Sequence, residues 1–120
     1  MIKEYKFGSI TIDEKTYDYD LKVRWTNEVL PWRRKESHII DMEDIESALS
    51  QNPQMIVIGT GESGMAEVTK NLKIELESRG IELIVDLTAD AIKTFNVIKE
   101  YSEEEDGVQK RVIGFFHLTC

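Results

Sequence analysis

The chain has 120 residues, with 23 Asp and Glu against 15 Lys and Arg, and a formal net charge of -8. That length suits a single domain over residues 1–120, able to bury on the order of two-thirds of its unfolded surface without a disulfide or metal. The acidic balance argues against wholesale binding of nucleic acid or an anionic membrane, and no apolar run approaches the roughly 20 residues of a membrane span.

The N-terminus, MIKEYKFG, lacks the apolar core of a signal peptide, so a cytoplasmic protein is expected. Short strands over Lys3–Phe7 and Ile10–Ile12 flank Gly8, and Asp13-Glu14-Lys15 reads as a turn. From Thr16 to Trp25 the odd positions Tyr17, Tyr19, Leu21, Val23 and Trp25 are apolar, and Asp18, Asp20, Lys22 and Arg24 between them are polar. This period of two predicts a half-buried strand, and with its predecessors an antiparallel layer of about three strands.

Leu30 to His38 follows, with Arg33, Arg34 and Lys35 beside Trp32 and ahead of Ser37-His38. A solvated loop whose tryptophan plugs the core explains this composition. So does an anion site in which Arg33 or Arg34 folds over the glycine turn described next and binds bidentately. Asp41 reads as the cap of a short helix carrying Met42, Ile45 and Leu49 on one face, ended by Asn52-Pro53.

Met55 to Asp86 organises the chain. Met55–Ile58 is an uninterrupted apolar run, as expected of a strand covered on both faces. A helix is predicted to open at the glycine turn, with Met65, Val68, Leu72 and Leu76 on one stripe and Glu75 and Arg79 as an i,i+4 pair. It stops at Gly80, before a second strand, Ile81–Asp86. The result is a right-handed βαβ unit.

Gly59-Thr60-Gly61-Glu62-Ser63-Gly64 matches G-x-G-x-x-G, with Asp86 22 residues beyond Gly64. Glu62 puts a negative charge where a pyrophosphate would sit, and the chain is too short for a second mononucleotide half. The alternatives are a tight turn without a ligand and a site for a smaller anion or polar ligand at the helix N-terminus.

Thr88 then reads as the N-cap of a third helix with Ala91, Ile92, Phe95 and Ile98 inward, fraying into an exposed acidic loop over Ser102–Gly107. The spacing of those carboxylates does not match an EF-hand, and no metal site is assigned. Lys110 to Cys120 reads as a central strand. The single cysteine, Cys120, cannot form an internal bridge, which points to a reducing compartment. His117 and Cys120, three apart on a strand, would face opposite ways and cannot jointly hold zinc. Ser37 or Ser63 could be drawn into a triad with a histidine and Asp86, but no Gly-x-Ser-x-Gly elbow supports one. No catalytic set and no cofactor is assigned.

Phe7-Gly8, Pro31-Trp32-Arg33-Arg34-Lys35-Glu36-Ser37-His38, Ile58-Gly59-Thr60-Gly61, Gly64-Met65, Thr88-Ala89-Asp90-Ala91 with Asn96, and Phe116-His117-Leu118-Thr119-Cys120 together resemble the Mth-domain family. That family includes an adipogenesis-associated member and a mitochondrial respiratory complex I assembly factor. The resemblance spans nearly the whole chain. It implies an α/β fold with a central mixed sheet, helices packed on it and an additional β-hairpin layer, and no established enzyme activity.

Two functional readings follow. The favoured one is an accessory or interaction module that holds a protein partner through its exposed hairpin face and the Trp32–His38 loop. The other is a small-anion or nucleotide binder, or enzyme, whose pocket is formed by Gly59, Thr60, Gly61, Ser63 and Gly64 with Arg33 or Arg34 and His38 or His117.

Overall fold

The structure is a computed structural model describing residues 1–106 and 109–120, with the backbone alone for 102–106. The chain opens with β1 (Ile2–Lys6), β2 (Ser9–Ile12), β3 (Lys15–Tyr17), β4 (Leu21–Arg24), β5 (Val29–Pro31) and β6 (Ile39–Ile40). Then come α1 (Met42–Leu49), β7 (Met55–Gly59), β8 (Glu67–Val68), α2 (Lys70–Ser78), β9 (Glu82–Asp86), α3 (Thr88–Asp106) and β10 (Val112–Phe116).

β1, β2 and β3 form the expected antiparallel layer. The main sheet is mixed and runs β5-β4-β10-β7-β9. β10 is antiparallel to β4 and parallel to β7, which is parallel to β9. β7 and β10 are buried at every residue, the environment that uninterrupted apolar runs require. Their alternation assigns the two faces. Met55, Val57, Val112 and Phe116 meet Ala91, Ile92 and Phe95 of α3 and Ile2, Ile10 and Ile12 of the N-terminal layer. Ile56, Ile58, Ile113 and Phe115 meet Trp32, Ile45 of α1, and Leu72 and Leu76 of α2. Leu72 and Leu76 are fully buried, each contributing about 1.5–3 kcal/mol.

Five expectations need correction. The single strand over Thr16–Trp25 is two strands in different sheets, broken at Asp18–Asp20. The Asp20 carboxylate accepts the Leu118 amide at 2.8 Å, drawing the backbone out of the ladder, while Leu21 and Val23 keep the inward parity. α2 does not open at the glycine turn. It opens at Lys70, where the Thr69 hydroxyl accepts the Leu72 amide at 3.2 Å. Met65 is therefore exposed in a loop, and Val68 lies in β8, which pairs with β6 in parallel. Thr88 is the first residue of α3 rather than its cap, its hydroxyl being engaged by other segments. The α3 backbone stays helical through Asp106 where a loop was expected; the acidic side chains of 102–106, and Gly107, lie outside the described residues. β10 is shorter than Lys110–Cys120 but central, as predicted. Among the described residues no helix is long and apolar enough to cross a membrane.

Candidate functional site

The carboxyl ends of β7 and β10 lie side by side, Gly59 opposite Phe116. Beyond them run the loop Thr60–Ala66 and the tail His117–Cys120, and these two segments bind each other. The Glu62 amide donates to Thr119 O at 2.8 Å and the Met65 amide to Cys120 O at 2.9 Å. The Gly61 amide donates to Thr88 Oγ1 at 2.8 Å, and that hydroxyl donates to His117 O at 2.6 Å. The Thr60 amide goes to Asp86 O.

Two glycines answer to this crowding. Gly61 has φ +108, and a Cβ there would lie 2.5 Å from the Cys120 carbonyl; one at Gly59 would lie 2.8 Å from Thr88 Oγ1. The expected arrangement, amides opening a helix and facing a ligand, is thus replaced by a turn closed under the tail. Its amides at 60, 61, 62 and 65 all bind within the molecule.

Asp20, Arg34 and His117 form a cluster beside this turn. Arg34 Nη1 donates to Asp20 Oδ2 at 2.8 Å, and His117 Nδ1 lies 2.6 Å from the same oxygen. The side chains of Arg34 and His117 are each 5% exposed and that of Asp20 is 20% exposed. Arg34 also donates to Ser37 O at 2.8 Å, and its guanidinium lies 4.4 Å from the centre of the Trp32 ring. Trp32 is fixed in turn by its indole N–H on Asp44 O at 3.0 Å and by packing on Phe115. Burial pushes the Asp20 carboxyl up, but hydrogen bonds from His117, the Leu118 amide and Arg34 outweigh it and hold the carboxyl below its usual range.

Nδ1 of His117 faces two groups, the Asp20 carboxylate at 2.6 Å and Arg34 Nη2 at 3.1 Å. The shorter contact, to an ionised carboxylate that only accepts, assigns the proton to Nδ1 and leaves Arg34 without a bond to that nitrogen. In the neutral ring Nε2 is then the lone-pair nitrogen. It is buried without a hydrogen-bond partner, and the His38 ring centre lies 6.0 Å from that of His117. A carboxylate that fixes the tautomer and leaves Nε2 free is the arrangement of a general base. No described hydroxyl or thiol bonds to Nε2, so a nucleophile is missing. The Arg34 charge is balanced by Asp20.

The structure thus brings Arg34, His38 and His117 together. Arg33 lines a hollow of about 420 Å³ with Tyr19, Pro31, Trp32 and Asp20, through which it borders the cluster without bonding to it. Thr60, Ser63 and Gly64 border a separate hollow of about 610 Å³ with Lys73 and Asp86, while Gly59 and Gly61 are buried beside Thr88 and the tail. Sequence reasoning missed Asp20, one more polar position in an alternating run, and the buried hydroxyl of Thr88. It also missed Tyr5, whose hydroxyl donates to Leu118 O at 3.0 Å. Burial first, then the charges of Glu62 and Asp20, raise the Tyr5 pKa.

The edges of the main sheet differ. β5 has three residues and ends in Pro31, both of which blunt an edge. β9 has five, Glu-Leu-Ile-Val-Asp, with neither proline nor lysine. The Glu82 amide bonds Gln54 O and Asp86 O accepts from Thr60, so residues 82, 84 and 86 face β7. Leu83 and Val85 accordingly turn their N–H and C=O groups outward. Alongside lies a hollow of about 450 Å³ lined by Lys73, Glu77, Glu82, Leu83 and Val85. Lys73 and Val85 also line the 610 Å³ hollow at the glycine turn, so one trough follows β9 from Ile81 to Leu87. Val85 is 39% and Leu87 41% exposed on it.

The model of a family described as a protein of unknown function (DUF498/DUF598) matches residues 2–117. The conserved hypothetical protein PH1505 from Pyrococcus horikoshii OT3 is 27% identical, with a TM-score of 0.81 over 100% of this chain and 99% of that one. The protein MT938 is 28% identical, with a TM-score of 0.76 over 100% of this chain and 98% of that one. XCC1710 from Xanthomonas campestris, 17% identical, shares the fold with a TM-score of 0.77 over 98% of this chain and 83% of that one.

Proposed function

The chain belongs to the DUF498/DUF598 family, the Mth-domain-like family, and we propose that it serves as an interaction module that takes up an extended segment of a protein partner along β9. One observation carries this reading: the outward N–H and C=O groups of Leu83 and Val85 stand beside an open trough lined by Leu83, Val85 and Leu87 together with charged side chains. Such an edge templates another strand, whose main-chain bonds supply affinity and whose alternate side chains enter the trough. An accessory role, holding or assembling other proteins, fits this mode of binding. The test is amide-resolved NMR of the labelled protein titrated with short β-forming peptides. Shifts confined to Ile81–Leu87 and their neighbours on α2 support the reading, and shifts gathered on the β1–β3 face or the Trp32–His38 loop overturn it.

A second reading, a small anion or polar ligand held near Thr60, Ser63 and Gly64, is favoured by Lys73, whose cation shares their hollow. Phosphate or a nucleotide present at about 100 times its dissociation constant then stabilises the fold by roughly 2.7 kcal/mol. A flat thermal-shift screen removes this reading.

A further inference from the structure

We infer that the segment accepted by β9 is basic: an extended strand with apolar residues at alternate positions and Lys or Arg at the positions between and beyond them. This rests on the edge reading above and adds the chemistry of the occupant. The lining of the trough carries Glu67, Glu77, Glu82 and Asp86 against the single cation of Lys73. The strand itself starts with Glu82 and ends with Asp86, so carboxylates bracket the outward groups of Leu83 and Val85 at both ends. An incoming strand lies about 4.8 Å away and sets its own residues directly opposite these, where opposite charges stabilise and like charges destabilise by roughly 0.2–1 kcal/mol each.

Strand register also disfavours a second copy of this chain. In the fullest antiparallel overlap about a two-fold axis, Leu83 pairs with Val85 of the other copy, which sets Glu82 opposite Asp86 twice. Two molecules of net charge -8 also repel on approach. Carboxylates on the edge therefore act as a filter, turning away this chain's own β9 and acidic strands while leaving the backbone groups open to a cationic one.

The probes are two nine-residue peptides alternating valine and threonine with either lysine or glutamate, read by NMR shifts and by fluorescence anisotropy against the intact protein. The lysine peptide is expected to shift the amides of 81–87 and to bind at least tenfold more tightly than the glutamate peptide, with the gap narrowing as salt rises. The double substitution Glu82→Lys, Asp86→Lys should reverse the preference. Val85→Pro should abolish binding of both peptides, because it removes an outward N–H that β7 does not use. Should Val85→Pro prove unfolded by circular dichroism, the double lysine variant decides alone. Equal binding of the two peptides overturns the basic occupant and leaves the edge reading standing. Binding of neither overturns both. A wild-type dimer in sedimentation, dispersed by Val85→Pro, makes a second copy the occupant and overturns this inference.

Discussion

Asp20 Oδ2 lies 2.6 Å from Nδ1 of His117, a residue 97 positions away in the sequence. The contact joins the break between the two sheets to the end of the central strand, and Arg34 adds the Trp32 loop to the same oxygen. One carboxylate therefore ties together three segments that no local pattern connects. The polar cluster acts first as a latch, and its unpartnered Nε2 is the part left over for chemistry.

Replacing Asp20 with Asn keeps the shape and removes the charge that balances Arg34. The expected loss is about 3 kcal/mol, because it leaves a buried guanidinium uncompensated. Urea unfolding followed by circular dichroism measures it. A loss under about 0.5 kcal/mol would mean that the cluster is an ordinary surface ion pair.

The pH dependence follows in sign from the same group. Its folded pKa is held below the unfolded value of about 3.9, so its stabilisation is complete above that value and is lost as pH falls through the lower folded one. Asp13, hydrogen-bonded to the N-terminal ammonium, and Asp41, hydrogen-bonded to the Thr69 hydroxyl, are shifted in the same direction. Stability should thus decline below about pH 4, and Asp20→Asn should decline less steeply than the wild type. Parallel curves for the two proteins would contradict the assignment.

Gly61→Ala should loosen the tail. The substitution meets both a positive φ and the Cys120 carbonyl, so a loss of about 2–3 kcal/mol is expected, with faster amide exchange at Glu62 and Met65. Gly8→Ala is the control. It shares the positive φ, but nothing lies near its Cβ, so it should lose only about 1 kcal/mol. Equal losses would show that strain alone, and not the tail, explains Gly61.

Thr88→Val removes the hydroxyl that bridges Gly61 to His117 while filling the same volume. The Gly61 amide is left unpaired in a buried site, at a cost of about 1–3 kcal/mol. Thr88→Ser retains the hydroxyl and should stay within about 1 kcal/mol of the wild type by thermal melting. A serine variant as unstable as the valine one would shift the explanation from the hydrogen bonds to the methyl group.

Patterns with a local cause were legible in the sequence. The apolar run Met55–Ile58 needed only its own composition to be read as a buried strand, and Asp41 needed only its neighbours to be read as a cap. The errors sit where a distant partner decides. Tyr17, Tyr19 and Leu21 alternate perfectly in the sequence, but the structure breaks the pattern between β3 and β4, where Tyr19 is exposed and Asp20 turns inward to His117 and Arg34. The glycines match a nucleotide-binding spacing but answer to Thr88 and the tail, neither of which lies beside them in the chain. Arg34 and His117 were named as candidates on composition, yet Asp20, the group that positions both, was indistinguishable from any other solvent-side aspartate. Thr69 was the readable signal for where α2 begins, and a glycine motif drew attention away from it.

β10 sits between β4 and β7, and it is the last strand along the chain. During synthesis, every earlier strand leaves the ribosome before the piece that joins the antiparallel half to the parallel half exists. Until Val112–Phe116 emerges, β4 and β7 each hold an open edge beside a hydrophobic face. Assembly of this molecule is therefore a closing step made late, across long stretches of sequence, and the nascent form before it is the one most in need of a chaperone.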